Sequence, residues 1–263
     1  VRDALSTSLD ENLRMIFESI NYLKKHRTEV LFDAEHFFDG YKNNPEYAIK
    51  TIKEAESGGA DWIVLCDTNG GSLPDEVHSI FSEVKNSINI KLGIHAHNDS
   101  EVAVANSLRA VEAGAQQVQG TINGIGERCG NTNLISIIPN LKIKMGLDCV
   151  SNEQLEKLKD VSAFVDELAN KAHWNQQPFV GKSAFAHKGG IHVSAVRKNS
   201  ETYEHIKPEV VGNSQRILIS DLSGKSNVLQ KAKEFGINVE AGEPKIQKIL
   251  KILKESENLG FQY

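Results

Sequence analysis

Two histidines separated by a single residue are the clearest chemical signal in this chain. His95 and His97 follow the apolar run Ile90–Ile94, which is typical of a buried strand. Residues two apart on a strand point to the same face, so both imidazoles would project together from the end of the strand. Two neutral imidazoles suit a divalent transition metal, and a nearby carboxylate or amide would complete an open, catalytic-type site. A hydrogen-bonded polar strand end without a metal is the alternative.

A glycine-rich loop, GIGERCGN at Gly124–Asn131, follows the next predicted strand and therefore faces the same site. Its three glycines allow a ligand to approach the backbone closely. Asn131, predicted at the start of a helix, offers either a metal-binding carbonyl or a helix cap. The loop matches neither the GxGxxG nor the Walker pattern, which disfavours phosphate binding. A plain capped turn is the alternative.

Polar residues also follow two other strand-like runs. Asp33 and Glu35 come after Glu29–Phe32 (EVLF) and form a second pair spaced by two. One of these carboxylates could act as a base or hold a cation, and a salt bridge within the loop is the alternative. Thr68 offers a hydroxyl group just after the predicted strand Trp62–Cys66.

Two more histidines, His187 and His192, lie within AFAHKGGIH at Ala184–His192. The polar, glycine-containing surroundings predict a flexible loop, on which both imidazoles would be available for proton transfer at neutral pH. Taken singly, a histidine in such a loop is more often an ordinary surface residue than a catalyst. Cys66 and Cys129 have no cationic neighbour that the sequence can show, so no nucleophilic role is predicted for them.

The elements that must position these residues alternate between strand and helix four times. Apolar strands with short connections to helices are typical of a parallel sheet that is buried on both faces. The predicted strands are Glu29–Phe32, Trp62–Cys66, Ile90–Ile94 and Gln117–Ile122, and helices are predicted after Ser8 or Asp10 and over Pro45–Ala55, Pro74–Lys85, Glu101–Glu112 and Leu134–Met145. Four such units correspond to the C-terminal half of a (β/α)8 TIM barrel, with the active site at the C-terminal ends of the strands. A complete four-stranded open sheet is the alternative.

The alternation of predicted strands and helices ends at about Asp148. Residues 1–148 are therefore predicted to form the barrel half, and residues 149–263 a mostly helical subdomain. In this second region one long helix is predicted over Asn152–Lys171, a short strand-like run over Ile217–Ile219, and a helical tail from Glu243 to Tyr263.

The composition is that of an ordinary globular protein. The chain has 263 residues, 40% of them hydrophobic, and a formal net charge of −5. These values disfavour a disordered or disulfide-scaffold protein, and the lack of a dense Lys/Arg stripe disfavours nucleic-acid or anionic-membrane partners. Three widely spaced cysteines suit a reducing cytoplasm, and no apolar run is long enough to span a membrane. A cytoplasmic protein is expected.

Read together, the motifs resemble those of the α-isopropylmalate, homocitrate and citramalate synthase family. The pieces that carry the resemblance are LGIHAHND at Leu92–Asp99, AVANSLRAVEAGA at Ala103–Ala115, GIGERCGN at Gly124–Asn131, AFAHKGGIH at Ala184–His192, TYEHIKPEVVG at Thr202–Gly212 and SGKSN at Ser223–Asn227. The resemblance covers essentially the whole chain. It implies a metal-dependent, barrel-based acyltransferase that condenses acetyl-CoA with a 2-oxo acid.

The resemblance also implies a role for each candidate residue. His95, His97 and Asn131 match the family's ligands for a divalent metal, which could be Zn, Mn or Mg. Glu35 matches the acidic residue near the methyl group of acetyl-CoA, and Thr68 matches the threonine that contacts the oxo acid.

Two residues of the second region match residues that, in the family, act across a subunit boundary. His192 and Tyr203 correspond to a His and a Tyr that reach the barrel of the partner in a domain-swapped homodimer. The resemblance does not divide the proton transfers between Glu35 and His192.

The identity of the oxo acid is suggested by two segments, FDAEHFFDGYKNNPEYA and LCDTNGG. They are most similar to the branch of the family that uses pyruvate to make citramalate for isoleucine biosynthesis. The alternative is 2-oxoisovalerate, the substrate of the 2-isopropylmalate synthases of leucine biosynthesis.

One departure from the family pattern is expected to matter. The family carries an Arg-Asp pair on its first strand, whose Asp binds the metal, whereas Arg2-Asp3 here is predicted to lie in a loop with no strand before it. The chain is therefore expected to be a fragment without the N-terminal barrel half and the C-terminal regulatory domain. An inactive fragment is one alternative. A barrel lyase would not need the AFAHKGGIH segment, and an amidohydrolase would carry its His-x-His pair on the first strand, whereas strand-like units precede the pair here.

Overall fold

The computed structural model describes residues 1, 5–27, 29–188, 190–218, 232–233, 236–237 and 244–260. The chain divides into two units, Val1–Leu147 and Asp148–Tyr263. The Arg2-Asp3 pair, the SGKSN segment and the end of the strand-like run at Ile219 lie outside the described residues. No helix in the described part of the chain combines the length and the apolar character needed to cross a bilayer.

Four parallel strands form the sheet of the first unit. They are β1 (Leu31–Ala34), β2 (Trp62–Asp67), β3 (Lys91–Ala96) and β4 (Gln117–Gln119), and they are paired in the order β1-β2-β3-β4. Each strand is added on the same side of the preceding one, whereas a doubly wound sheet reverses its direction at a switch point. Because parallel crossovers are right-handed, this order places the connecting helices on one face, as in a (β/α)8 barrel.

The sheet is strongly curved. Asp33 on β1 accepts a hydrogen bond from Gln119 on β4, although β2 and β3 lie between these two strands. In a flat sheet three strand spacings would separate β1 from β4 by about 14 Å. Extended Gln and Asp side chains and a bond of 3.1 Å together reach only about 11 Å. The strands must therefore bend toward one another as the wall of a barrel does.

Helices cover the outer face of this sheet. They are α1 (Leu9–His26), α2 (Phe37–Asn43), α3 (Pro45–Gly58), α4 (Pro74–Lys85), α5 (Ala103–Ala113) and α6 (Leu134–Pro139), with a 3-10 turn at Ile122–Gly124 and a π-helical turn at Asn140–Lys144. Their ends carry expected signals: Ser8 caps α1 by accepting the Glu11 N–H, and Gly59 ends α3 at a φ of 94°. The core between helices and sheet includes the fully buried Phe38, Ile52, Ile63, Leu65, Phe81 and Ile94.

Strand β1 begins two residues later than predicted. Before the strand begins, Val30 and Asp61 form two hydrogen bonds that are not part of the β-ladder. The N–H of Val30 donates to the Asp61 carboxylate, and the N–H of Asp61 donates to the carbonyl of Val30. The parallel pairing then starts at Leu31 opposite Trp62. As a result Asp33 belongs to the strand itself rather than to the loop after it.

Two other predictions around the glycine-rich loop are wrong. Strand β4 ends at Gln119, because the chain turns into the 3-10 segment soon afterwards. Asn131 is not at a helix start, since α6 begins at Leu134 with Asn133 as its cap. Asn131 instead forms an isolated antiparallel bridge with His97.

The described part of the second unit is mainly helical. Its elements are α7 (Asn152–Leu155), α8 (Leu158–Leu168), β5 (Ala186–His187), α9 (Gly190–Lys198), β6 (Arg216–Ile217) and α10 (Pro244–Asn258), with 3-10 turns at Ser200–Thr202 and Pro208–Val211. Strands β5 and β6 pair in parallel. The C-terminal helix agrees with the helical tail expected from the sequence.

The single helix predicted over Asn152–Lys171 is broken in the structure. Helix α7 ends before Glu156, where the backbone of Gly212 packs directly against the Glu156 carbonyl oxygen. The loop predicted over AFAHKGGIH is also wrong, because it contains β5 and the start of α9. Both differences arise from packing between segments that are far apart in sequence, which local periodicity does not report.

Candidate metal site at the strand ends

The two histidines of the HAH motif converge at the C-terminal end of β3. His95 is the penultimate residue of the strand and His97 follows it directly. Their Nε2 atoms are 3.4 Å apart and their ring centroids 5.2 Å apart. The period of two along the strand thus places both imidazoles on one side, as predicted.

Asn131 is brought to the same point by the glycine-rich loop. Its bridge with His97 is continued by two backbone bonds, from Asn98 N–H to Gly130 and from Thr132 N–H to Ala96. Asn131 is 9% exposed, and its side-chain amide lies 2.9 Å from the Nε2 atom of His95. The side chain of His95 therefore contacts those of the other two predicted metal ligands, His97 and Asn131.

The loop needs a glycine where it passes the Asn131 side chain. A Cβ atom built on Gly126 would collide with the Oδ1 atom of Asn131. Any side chain at this position would therefore push the amide out of its place. The motif thus positions Asn131 through a close approach of the loop to its own amide.

Arg128 fastens the glycine-rich loop to the ends of β2 and β3. Its guanidinium group donates to both carboxylate oxygens of Asp99, at 2.8 and 2.9 Å, and to the carbonyl of Thr68 at 2.7 Å. The hydrogen bonds from Arg128, and to a smaller extent its charge, lower the pKa of the Asp99 carboxyl group. Sequence reasoning missed this role of Arg128, because the signal is only a single Arg inside the loop.

His97 is arranged to stay neutral. Burial lowers its pKa, and the neighbouring His95 and Arg128 lower it further. Its Nδ1 atom is buried and has no hydrogen-bond partner within the described part of the protein. A neutral imidazole is the form that binds a metal.

This donor set fits a divalent transition metal. The separation of 3.4 Å between the two Nε2 atoms matches that of two ligands sharing one ion, and the Asn131 amide lies beside them, with its NH2 group 2.9 Å from the Nε2 atom of His95. Such ligands lie roughly 3.0–3.4 Å apart when their bonds are about 2.1 Å long. Within the described residues no group of three or more His, Cys, Asp or Glu is placed to hold a metal. The fit therefore depends on Asn131, with further positions left for other ligands.

Thr68 and Glu35 lie at the ends of the neighbouring strands. The hydroxyl oxygen of Thr68 accepts the His36 N–H at 2.8 Å, and His36 adopts a left-handed φ of 58° that turns the chain after β1. Glu35 is exposed and lines a cavity of about 410 Å³ that also borders Asp33 and Tyr47.

Cys66, on β2, is surrounded by negative charge. Burial raises the pKa of its thiol to about 12, and the carboxylates of Asp33 and Glu35 add to the shift. The thiol therefore stays protonated at neutral pH and is a poor nucleophile.

The second unit holds the other candidate residues. The rings of His192 and Tyr203 stack with their centroids 4.2 Å apart, and both side chains are exposed. His187 does not lie on a flexible loop as predicted. It belongs to β5, and its Nε2 atom lies 2.9 Å from the buried carboxylate of Glu204.

Comparisons with known proteins identify the family of the chain. Residues 1–165 match the HMGL-like family, and residues 179–259 match the homocitrate synthase post-HMGL domain-like family. The chain is 59% identical over 263 residues to the (R)-citramalate synthase of Geobacter sulfurreducens, and 57% identical over 264 residues to that of Aquifex aeolicus. Each alignment covers 100% of this chain and 50% of the relative, so the chain spans about half the length of these curated relatives.

A solved structure supports the fold. The HMG-CoA lyase of Bacillus subtilis superposes with a TM-score of 0.55 at 22% identity, covering 65% of this chain and 60% of the lyase chain. At this identity the similarity concerns the fold alone. The predicted fold class, half of a (β/α)8 barrel followed by a mostly helical subdomain, is confirmed.

Proposed function

The chain belongs to the HMGL-like family, and on that premise we propose that it supplies the metal-binding part of an active site for acyl transfer. The reaction condenses acetyl-CoA with pyruvate and yields citramalate and CoA, a step of isoleucine biosynthesis. The observation that carries this proposal is the convergence of His95, His97 and Asn131 at one strand end. The high identity to two proteins named (R)-citramalate synthase favours pyruvate over the 2-oxoisovalerate of the 2-isopropylmalate synthases.

A divalent ion (Zn, Mn or Mg) held by His95, His97 and Asn131 would polarise the keto group of pyruvate as a Lewis acid. Thr68 is suited to orient the same substrate. Its oxygen already accepts the His36 N–H, so its own proton remains to be donated to a substrate oxygen.

The carbon–carbon bond requires that the methyl group of acetyl-CoA lose a proton. Glu35, an exposed carboxylate at the end of β1, is the candidate base in this unit. The resulting carbanion attacks C2 of pyruvate and forms the new bond. Water then cleaves the thioester, which releases CoA and makes the condensation effectively irreversible.

The second unit contributes His192 and Tyr203 to the proposal. Their stacked and exposed rings are free to meet another surface. In the proposed domain-swapped homodimer both residues act at the active site of the partner subunit, where His192 is the second candidate for proton transfer. The domains proposed are a catalytic barrel portion, residues 1–148, and linker subdomains, residues 149–263, in a cytoplasmic enzyme.

The test is substrate preference in the full-length protein. We expect kcat/KM to be higher for pyruvate than for 2-oxoisovalerate or 2-oxoglutarate, by a margin of about 10–200-fold, because a pocket rejects added methyl groups with only about 1–3 kcal/mol. A preference for 2-oxoisovalerate would move the assignment to 2-isopropylmalate synthase. Absence of turnover with all three oxo acids in the metal-loaded protein would reject acyl transfer.

A further inference from the structure

Gln119 joins His95 on β3 to Asp33 on β1. It lies beside His95 in the parallel register of β3 and β4, so the two side chains share the concave face of the sheet. The Oε1 atom of Gln119 is 3.0 Å from the Nδ1 atom of His95, and its Nε2 atom is 3.1 Å from Oδ1 of Asp33. The amide of Gln119, which is 86 positions from Asp33 in the chain, thus links Asp33 to His95.

The carboxylate of Asp33 determines which way this amide points. An ionised carboxylate accepts hydrogen bonds and donates none, so only the NH2 group of Gln119 can face Asp33. The carbonyl oxygen of Gln119 must then face His95. Because that oxygen is an acceptor, the Nδ1 atom of His95 carries the proton and donates it to Gln119.

The Nδ1–H tautomer of His95 is the one that can bind a metal through Nε2. With the proton on Nδ1, the Nε2 atom of His95 carries the lone pair, and this is the atom that faces His97 and the NH2 group of Asn131. A free histidine side chain prefers the opposite tautomer, with the proton on Nε2. The protein must therefore stabilise the less favoured form, and a hydrogen bond to the remote nitrogen is the common way to do so.

From this chain of contacts we propose that Asp33 and Gln119 are positioning residues that hold the Nε2 lone pair of His95 toward the metal position. Asp33 acts through Gln119, and Gln119 acts through His95. The inference rests on the proposed function for the identity of the site, but the tautomer of His95 is a property of the metal-free chain.

Three variants separate this role from simple packing. Gln119→Met keeps the length of the side chain and removes the acceptor. Gln119→Glu keeps an acceptor for the Nδ1 proton. Gln117→Met is the matched control, because Gln117 lies on the same strand and face, and its Oε1 atom is buried with no partner in the described structure.

The experiment is long-range 1H–15N NMR of the imidazole rings in the full metal-free chain, at a pH of about 8 where histidine is neutral. We expect His95 to be protonated on Nδ1 in the parent chain, in Gln119→Glu and in Gln117→Met. In Gln119→Met the population should shift to the Nε2–H form. An unchanged tautomer in a folded Gln119→Met chain would overturn the proposal, and so would an Nε2–H form in the parent.

A second readout is Zn²⁺ binding, followed on the same ring signals during titration. We expect Gln119→Met to weaken the affinity by about 10–100-fold, the usual effect of losing a hydrogen-bond partner of a ligand. Gln117→Met should bind as the parent does. Equal Zn²⁺ affinity of Gln119→Met and Gln117→Met would reject a positioning role. Absence of acyl transfer in the full-length parent protein, together with the expected tautomer shift in Gln119→Met, would instead reject only the proposed function.

Discussion

Two histidines of this chain, His95 and His187, lie on short parallel ladders but in opposite chemical settings. One nitrogen of His95 contacts a neutral amide, and the other faces two potential ligands. The Nε2 atom of His187 contacts the carboxylate of Glu204, whose side chain is only 2% exposed. The comparison shows that the chemistry available to a histidine depends on which of its two ring nitrogens already has a partner within the fold.

Around His95, the substitution expected to have the largest effect on turnover is His97→Ala, which removes the neighbouring candidate ligand. Removing one ligand should lower turnover of the full-length protein by more than the roughly 10–100-fold that the loss of an outer hydrogen-bond partner costs. The fold should be retained, because the strands beneath carry the core. Kinetics and thermal unfolding of the same variant measure both. Near-normal turnover with metal still bound would show that the site assignment is wrong.

The glycine-rich loop allows a milder perturbation of the same site. Gly126→Ala should displace the Asn131 amide, because the new Cβ would occupy the place of its oxygen. We expect metal affinity to fall by about 10–100-fold with little change in the melting temperature. Gly71→Ala is the matched control, since a Cβ there meets nothing within 4 Å. Equal metal affinity in the two variants would mean that the loop tolerates the clash.

At the other histidine the expected effect is on stability instead. His187→Ala leaves the buried Glu204 carboxylate with only the Gln215 amide as a side-chain partner among the described residues. Leaving a buried polar group short of partners costs about 1–3 kcal/mol. Denaturant unfolding should show this loss, while Zn²⁺ affinity stays unchanged. A loss of Zn²⁺ binding in a folded His187→Ala chain would contradict the purely structural role of His187.

The smallest effect concerns the clamp between Arg128 and Asp99. The pKa of Asp99 is lowered in the folded state, so this carboxylate adds stability above its unfolded pKa of about 3.9, and the contribution disappears as the pH falls through the folded value. Asp99→Asn should therefore be less stable than the parent at neutral pH, and the two should converge at acidic pH. Unfolding measured across this range tests the sign, and a gap that widens toward low pH would contradict it.

Much of the local structure followed from the sequence alone. Pro74 and Lys85 bound α4 as predicted, because helix starts and amphipathic spacing are set within a few residues. The spacing of His95 and His97 likewise placed both rings on one side, since alternation along a strand depends only on the backbone. The ordered motifs also indicated the family.

Only the tertiary structure decided how these rings are used. Gln119 meets Asp33 because curvature brings the first and fourth strands together, and no local pattern encodes that meeting. Packing between distant segments also shifted the start of β1 and gave His187 a structural partner. Sequence periodicity reports which face a side chain takes, whereas its partner depends on strand order and register, which arise from contacts across the whole sheet.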